Sequence, residues 1–218
     1  MILRFHRRLN ETAGTTAFDY AGGHDGLVVD NVTMGTPGPA SPSYAGLEAN
    51  NTAYGFDGAD AYVQAASLGL PGPLSVAAWI KPNSLTGDRA IAGENASWAF
   101  KLYNNELRFT TPGILDHNSS GAGLTVGEWY PVAVTFVPGT ADGAKFYVNG
   151  RFVNSTTASA LTKGSSTFWI GKNQWAGQVF DGVIDEVVVC DKILSADTIA
   201  SMYATASYGT TTAPFFTA

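Results

Sequence analysis

The chain has one cysteine, Cys190, so no intrachain disulfide can staple it and cysteine usage leaves the redox compartment open. The expected state of Cys190 is that of a small buried apolar residue on a strand. Charge is scarce as well: Asp, Glu, Lys and Arg make up 14% of the 218 residues, with 12 basic against 18 acidic side chains and a net charge of −6. Neutralising phosphates requires a clustered Lys/Arg surface, so nucleic-acid binding is excluded. No apolar run approaches the roughly 20 residues needed to span a bilayer, which excludes insertion by a membrane helix. The first residues, "MILRFHRRLN", lack the apolar stretch of about seven or more residues that a secretory signal requires. The three histidines, His6, His24 and His117, lie in unrelated segments without a nucleophile motif.

What is present is apolar material, 45% of the residues, enough for one large β domain. It is cut into short alternating or β-branched runs: "AYVQA", "LSVAAWIKP", "WAFKLY", "ELRFTT", "YPVAVTFV", "AKFYVNGRFVN", "STFWIG" and "GVIDEVVVC". Gly, Pro, Asn and Asp separate them, which is the punctuation of an antiparallel sandwich or barrel. In "KFYVNGRFV", Asn149-Gly150 supplies a type I′ turn and places Val148 opposite Arg151, Tyr147 opposite Phe152 and Phe146 opposite Val153. One short helix is expected after Ser195 as N-cap, with Asp197 in its first turn and Ile199, Met202 and Tyr203 as its apolar stripe. Residues 33–46 read as a long surface loop. The tail, residues 206–218, falls outside the β pattern, and its Phe215-Phe216 pair is either exposed apolar surface or a docking peptide for a neighbouring subunit. The basic run Arg4, His6, Arg7 and Arg8 is either a strand edge or an anchoring arm for an acidic partner.

Four segments in order resemble the laminin-G-like, concanavalin A-like jelly-roll family. They are "RRLNETAGTTAFDYAGGHDGLV", "YGFDGADAYVQAASLGLPGPLSVAAWIKP", "EWYPVAVTFVPGTADGAKFYVNGRFV" and "FWIGKNQWAGQVFDGVIDEVVVCDKILSADTIASMY". The resemblance covers about residues 3–205 and implies an all-β, two-sheet antiparallel jelly-roll sandwich with one short C-terminal helix. It implies a domain over residues 1–205 with a concave face, of a kind that recognises glycans or protein surfaces. Two features depart from the family: Tyr130-Pro131 replaces an aromatic-His pair, so this strand is expected to begin at an edge or a bulge, and residues 30–53 are longer than usual.

The stretch "FDGVIDEVVVC" carries Asp181, Asp185 and Glu186. Retaining glycoside hydrolysis needs two carboxyls about 5 Å apart on one face. Period-2 geometry puts Asp181 and Asp185 roughly 13 Å apart and turns Glu186 the other way, so the module is expected to be non-catalytic. The resemblance further implies a structural calcium ion, with Asp185 as ligand, help from Asp57 and Gly58 of the "FDG" turn, and Asp19; the alternative is that Asp185 caps a turn or pairs with Lys192 or Arg151. For ligand binding the informative residues are loop aromatics, since a sugar's apolar face stacks on a ring while its hydroxyls bond amides and carboxylates. Trp175, flanked by Asn173 and Gln174 where the strand pattern lapses, is the leading candidate. Trp98, with Lys101 and Tyr103, is placed near the concave face, and Asp116, His117 and Asn118 form a polar loop close by. Trp79, Trp129 and Trp169 sit inside strand patterns and read as core.

The function these features imply is recognition of a glycan or glycoconjugate at an extracellular or particle surface. The alternative is a structural virion subunit, a capsid decoration, fibre or tail protein, contacting neighbouring subunits through residues 4–8 and 207–218. The chain has the extent of a complete small protein or an excised domain.

Overall fold

The computed structural model describes residues 3–21, 23–44, 46–70, 72–163 and 167–204. The chain runs through β1 (Leu3–Arg7), β2 (Thr16–Ala17), β3 (Gly26–Val29), β4 (Thr33–Pro37), β5 (Thr52–Asp57), β6 (Tyr62–Ala66), β7 (Leu74–Pro82) and β8 (Asp88–Glu94). It continues through β9 (Trp98–Tyr103), β10 (Glu106–Thr111), β11 (Leu115–Asn118), β12 (Tyr130–Phe136), β13 (Ala144–Val148), β14 (Arg151–Thr156), β15 (Thr167–Ile170) and β16 (Asp181–Cys190), followed by helix α1 (Ala196–Ala204). Sheet I has the order β14-β13-β12-β7-β16-β5-β4, with β1 also on β16; sheet II has the order β11-β10-β9-β8-β15-β6-β3-β2. Both are antiparallel, the jelly-roll sandwich that the family resemblance implies.

Alternation decides which side chains lie between the sheets. On β9, Trp98, Phe100 and Leu102 point inward, and on β10 Leu107 and Phe109 do the same. A chain of rings then crosses the sandwich: Phe5 edges onto Phe168 at 4.6 Å, Phe168 lies 6.0 Å from Trp98, Trp98 stacks on Phe109, and Phe109 stacks on Phe136 at 4.5 Å. Because Phe5 and Phe136 belong to sheet I and the other three to sheet II, this chain ties the two layers together. Trp98 is 1% exposed. It is a core residue with no face for a ligand, which corrects its placement among the binding residues.

Several local expectations are met and others change. Asn149 and Gly150 have φ of +53° and +71°, and Val148 and Tyr147 face Arg151 and Phe152. The register then slips, so Phe146 faces Asn154 rather than Val153. Ser195 caps α1, its Oγ accepting from Thr198 N at 3.1 Å. Residues 33–37 are a strand on β5 rather than loop. Pro131 lies on an interior strand, at its start, opposite Trp79 of β7 and before the ladder to β13 opens at Val132, so its missing N–H interrupts nothing. Trp79 is buried, but on the outer face of sheet I, against Tyr44 and Tyr203. Trp129 and Trp169 are half-buried rather than core.

The basic run is not an anchoring arm where its side chains are described. Arg7 is fully buried, its guanidinium donating to the Ala17 carbonyl at 2.5 Å and to that of His24, and lying over the Phe5 ring. Gly26 leaves the space this guanidinium fills. His6 and Arg8 bond Glu186, and Arg8 also pairs with Glu48. Phe215 and Phe216 lie outside the described residues.

Removing Trp98 takes the middle ring out of the inter-sheet chain. Trp98→Ala is therefore expected to lower the unfolding free energy by about 3–5 kcal/mol, whereas Trp175→Ala should cost less than about 1 kcal/mol. Urea unfolding monitored by circular dichroism distinguishes the two.

Candidate functional site

The strands that bury Trp98, Phe100 and Phe109 turn their alternate residues outward, and on sheet II those residues are polar and paired. The ladder sets Asn118 beside Arg108, Arg108 beside Lys101, Lys101 beside Ala90, and Tyr103 beside Asp88. Lys101 Nζ contacts Asp88 Oδ1 at 2.8 Å. Arg108 reaches Asp116 Oδ2 at 3.1 Å and Asp88 Oδ1 at 3.6 Å, and its Nε donates to Asn118 Oδ1 at 2.6 Å. Its guanidinium carbon lies 3.4 Å from the centroid of the Tyr103 ring. Thr110 Oγ1 donates to Asp116 Oδ1 at 2.6 Å, which fixes the carboxylate from the other side.

The loop between β15 and β16 folds over this network. Asn173 is buried and works in two directions: its Oδ1 accepts from Trp175 N at 2.9 Å and its Nδ2 donates to Gln178 Oε1 at 2.7 Å. Gln178 Oε1 also accepts from Lys101 Nζ at 3.1 Å. Gln174 Oε1 accepts from Ala96 N at 2.6 Å, tying the loop to the β8–β9 turn. Trp175 is thereby held half-exposed with Lys101 Nζ 5.0 Å from its ring centroid. On the same sheet face Trp169 donates its Nε1 to Gln64 Oε1 at 3.4 Å. Lys101, 3% exposed, has its ammonium bonded by both Asp88 and Gln178, as a buried ammonium requires, since an unpaired one would be costly.

Of the residues singled out from the sequence, this face gathers Trp175, Asn173, Gln174, Tyr103 and Asn118, together with Lys101 and Asp116. It does not gather His117, which points inward on β11, buried against Phe136 with Nε2 3.1 Å from Ser159 Oγ. Burial lowers the proton affinity of that imidazole. Alternation explains the difference: His117 faces Phe109 across the ladder while its neighbours Asp116 and Asn118 face out. Arg108, Asp88, Gln178 and Trp169 were not foreseen. The sequence carries the signal for Arg108 and Trp169, since "ELRF" and "TFWI" each place a polar or aromatic residue between two inward apolar ones.

The residues named for calcium do not fit one ion. Asp57 Oδ1 already accepts from Ala59, Asp60 and Ala61 N, which holds its pKa down to about 2. Asp57 pairs with Asp181, four positions along β16 from Asp185, on the order of 13 Å away. Gly58 makes the positive-φ turn against Asp181. Asp19 organises the loop after β2, its carboxylate accepting from the N–H groups of His6, Ala21 and His24. Among the described residues no group of three or more His, Cys, Asp or Glu is arranged to hold a metal ion.

Asp185 is instead buried, its Oδ2 accepting from Asn51 Nδ2 at 2.6 Å. Asn51 Nδ2 also donates to the Pro39 carbonyl, fastening the segment before β5 onto β16. Burial, with the neighbouring Glu186 charge, pushes the Asp185 carboxyl well above the ordinary carboxylate range. Glu186 does not face away as period 2 predicts: a bulge between Asp185 and Val188, with Glu186 at φ +48°, brings both carboxyls to the outer side of sheet I.

A family model described as the concanavalin A-like lectin/glucanases superfamily matches residues 57–200. No curated protein matches the chain. Among solved structures, domain 4 of an extracellular arabinanase from Geobacillus stearothermophilus, in complex with arabinotriose, is 21% identical with a TM-score of 0.66, covering 92% of this chain and 98% of that one. The sialidase of Trypanosoma rangeli is 13% identical with a TM-score of 0.66, covering 93% of this chain and 32% of its own. The binding domain of botulinum neurotoxin serotype C1 is 15% identical with a TM-score of 0.64, covering 95% and 52%.

A carboxyl whose folded-state pKa is raised stabilises the fold only in acid, and that contribution is lost as pH rises past its unfolded value. Asp185→Asn keeps the size and cannot ionise, so it is expected to leave stability at neutral pH unchanged or higher and to flatten the decline above about pH 4. Melting curves of both proteins across that range test this; a strongly destabilised variant at neutral pH would show that the charged form is the one the fold needs.

Proposed function

The chain belongs to the concanavalin A-like lectin/glucanases superfamily, and from that premise we propose that it is a non-catalytic module that binds a glycan or glycoconjugate on the outer face of sheet II. The observation that carries the proposal is Trp175. A half-exposed indole is held by Asn173 over Lys101, whose ammonium also bonds Gln178 and Asp88; Gln174 is the next residue in the loop, and Arg108 continues the network from Asp88 to Asp116. A pyranose or furanose ring offers a C–H face to the indole and hydroxyls to the amides and carboxylates around it, and such sites combine one apolar platform with a few placed polar groups. That one structural neighbour was solved with arabinotriose supports the class of ligand without choosing the sugar.

The non-catalytic reading rests on the carboxylates. Asp181 and Asp185 are separated along β16, Asp185 is buried against Asn51, and Glu186 is engaged by His6 and Arg8. An extracellular or particle-surface location accords with the ligand class; no helix among the described residues is long and apolar enough to cross a membrane. A virion-subunit role finds no support in residues 5–8, whose side chains are used within the fold.

On a glycan array, with arabino-oligosaccharides included, Trp175→Ala should lose about 1–1.5 kcal/mol of binding, roughly tenfold, at unchanged melting temperature. Unaltered binding by that variant, or an array blank for the wild type, would sink the proposal. No reducing ends should be released from β-glucan; turnover abolished by Asp185→Asn or Asp181→Asn would make the protein an enzyme.

A further inference from the structure

A second concave feature lies on the opposite side of the sandwich, where the outer face of sheet I meets α1. A cavity of about 40 Å³ opens there. Its floor is made by Ala77, Ala133 and Val188, short side chains that leave space beneath the helix, and Trp79, Met202 and Tyr203 form its wall. The Trp79 and Tyr203 rings lie 5.8 Å apart at 29°. At one end stand Glu186 and His6, joined by a 2.6 Å contact between Oε2 and Nε2; Arg8, which also pairs with Glu48, places its Nε 3.4 Å from the other Glu186 oxygen. No Lys or Arg is among the described residues that line the cavity.

The backbone departs from regular sheet at this place. Glu186 holds φ +48°, a conformation that a non-glycine side chain rarely adopts and that tends to mark functional sites. Its neighbour Asp185 is fully buried and bonded to Asn51, away from the residues that line the cavity. A strained residue and an aromatic-walled cavity thus coincide at one bulge of β16.

We propose that this cavity is a second ligand site, taking a compact organic ammonium group with its charge toward Glu186 and its alkyl shell against Trp79 and Tyr203. Three observations select that chemistry. A carboxylate only accepts, so it favours a donor or a cation and repels an anion. The faces of Trp and Tyr attract cations, most strongly alkylated ammonium groups. The space amounts to roughly three water molecules, too little for a sugar ring and enough for the head of a methylated amine. The site is separate from the network around Trp175, because it lies on the other sheet.

The test uses the full chain and choline chloride, titrated by calorimetry beside choline's uncharged isostere, in which carbon replaces the ammonium nitrogen. Saturable binding of choline is expected, with the isostere at least tenfold weaker. Tyr203→Ala, at a half-buried position on α1, should weaken choline about threefold or more and leave glycan binding through Trp175 unchanged. Glu186→Gln, folded as judged by its melting curve, should weaken choline at least tenfold. Equal binding of the two isosteres overturns the assignment of charge, failure of choline to saturate overturns the site, and an unaffected Tyr203→Ala variant overturns its location. If Glu186→Gln does not fold, Tyr203→Ala and the isostere pair still decide the matter.

Discussion

Both outer faces are positioned by one contact chain, the rings of Phe5, Phe168, Trp98, Phe109 and Phe136 running between the sheets. In a strand the side-chain period is two, so fixing one inward residue fixes both neighbours outward. With Phe100 and Leu102 inside, Lys101 must point out; with Phe109 inside, Arg108 and Thr110 must as well. A register slip of one residue would bury these charges and expose the rings, and that penalty is what makes the polar face a fixed arrangement.

The two faces solve the problem of an exposed sheet differently. Sheet I is covered by apolar packing: α1 lays Ile199 on Ala77, Ala133 and Val188, and Trp79 is shielded by Tyr44 and Tyr203. Sheet II is covered by charge pairing and by a loop whose own backbone is held by Asn173. A network of this kind contributes little net stability, because desolvating Lys101 and Arg108 offsets much of their attraction to Asp88 and Asp116. Its effect is to hold Trp175 and Tyr103 in set orientations, the preorganisation that a weak recognition site needs.

β16 shows how topology creates an irregularity. On one side it lies along β7; on the other it is paired first with β5, through Ile184, and then with β1, from Val187 onward. The bulge at Asp185–Glu186 falls at this change of partner. Two successive carboxyls consequently share one side of the sheet, where Asn51, His6 and Arg8, from segments far away in sequence, bond them.

Alternating runs, turn residues and composition were enough to establish an all-β sandwich or barrel, the Asn149-Gly150 turn, the Ser195 cap and Trp175 as a loop aromatic flanked by Asn173, because each rests on a local period or a residue's own backbone preference. Period-2 reasoning also held the information that Trp169 faces out and His117 in, since Trp169 stands between apolar Phe168 and Ile170 and His117 between polar Asp116 and Asn118. Other features depend on pairing between distant segments and were not legible. Whether Trp98 lies near the concave face or in the core is settled by its packing on Phe109 and Phe168; whether Arg7 is an arm or a buried key, by the carbonyls of Ala17 and His24. That Asp57, Asp19 and Asp185 lie apart, and that Glu186 turns to the same side as Asp185, follows from strand register and from the bulge where β5 gives way to β1. A chain's local pattern specifies which face a residue takes within a strand, but only the assembled sheets decide what stands opposite it, because those contacts join residues up to 180 positions apart.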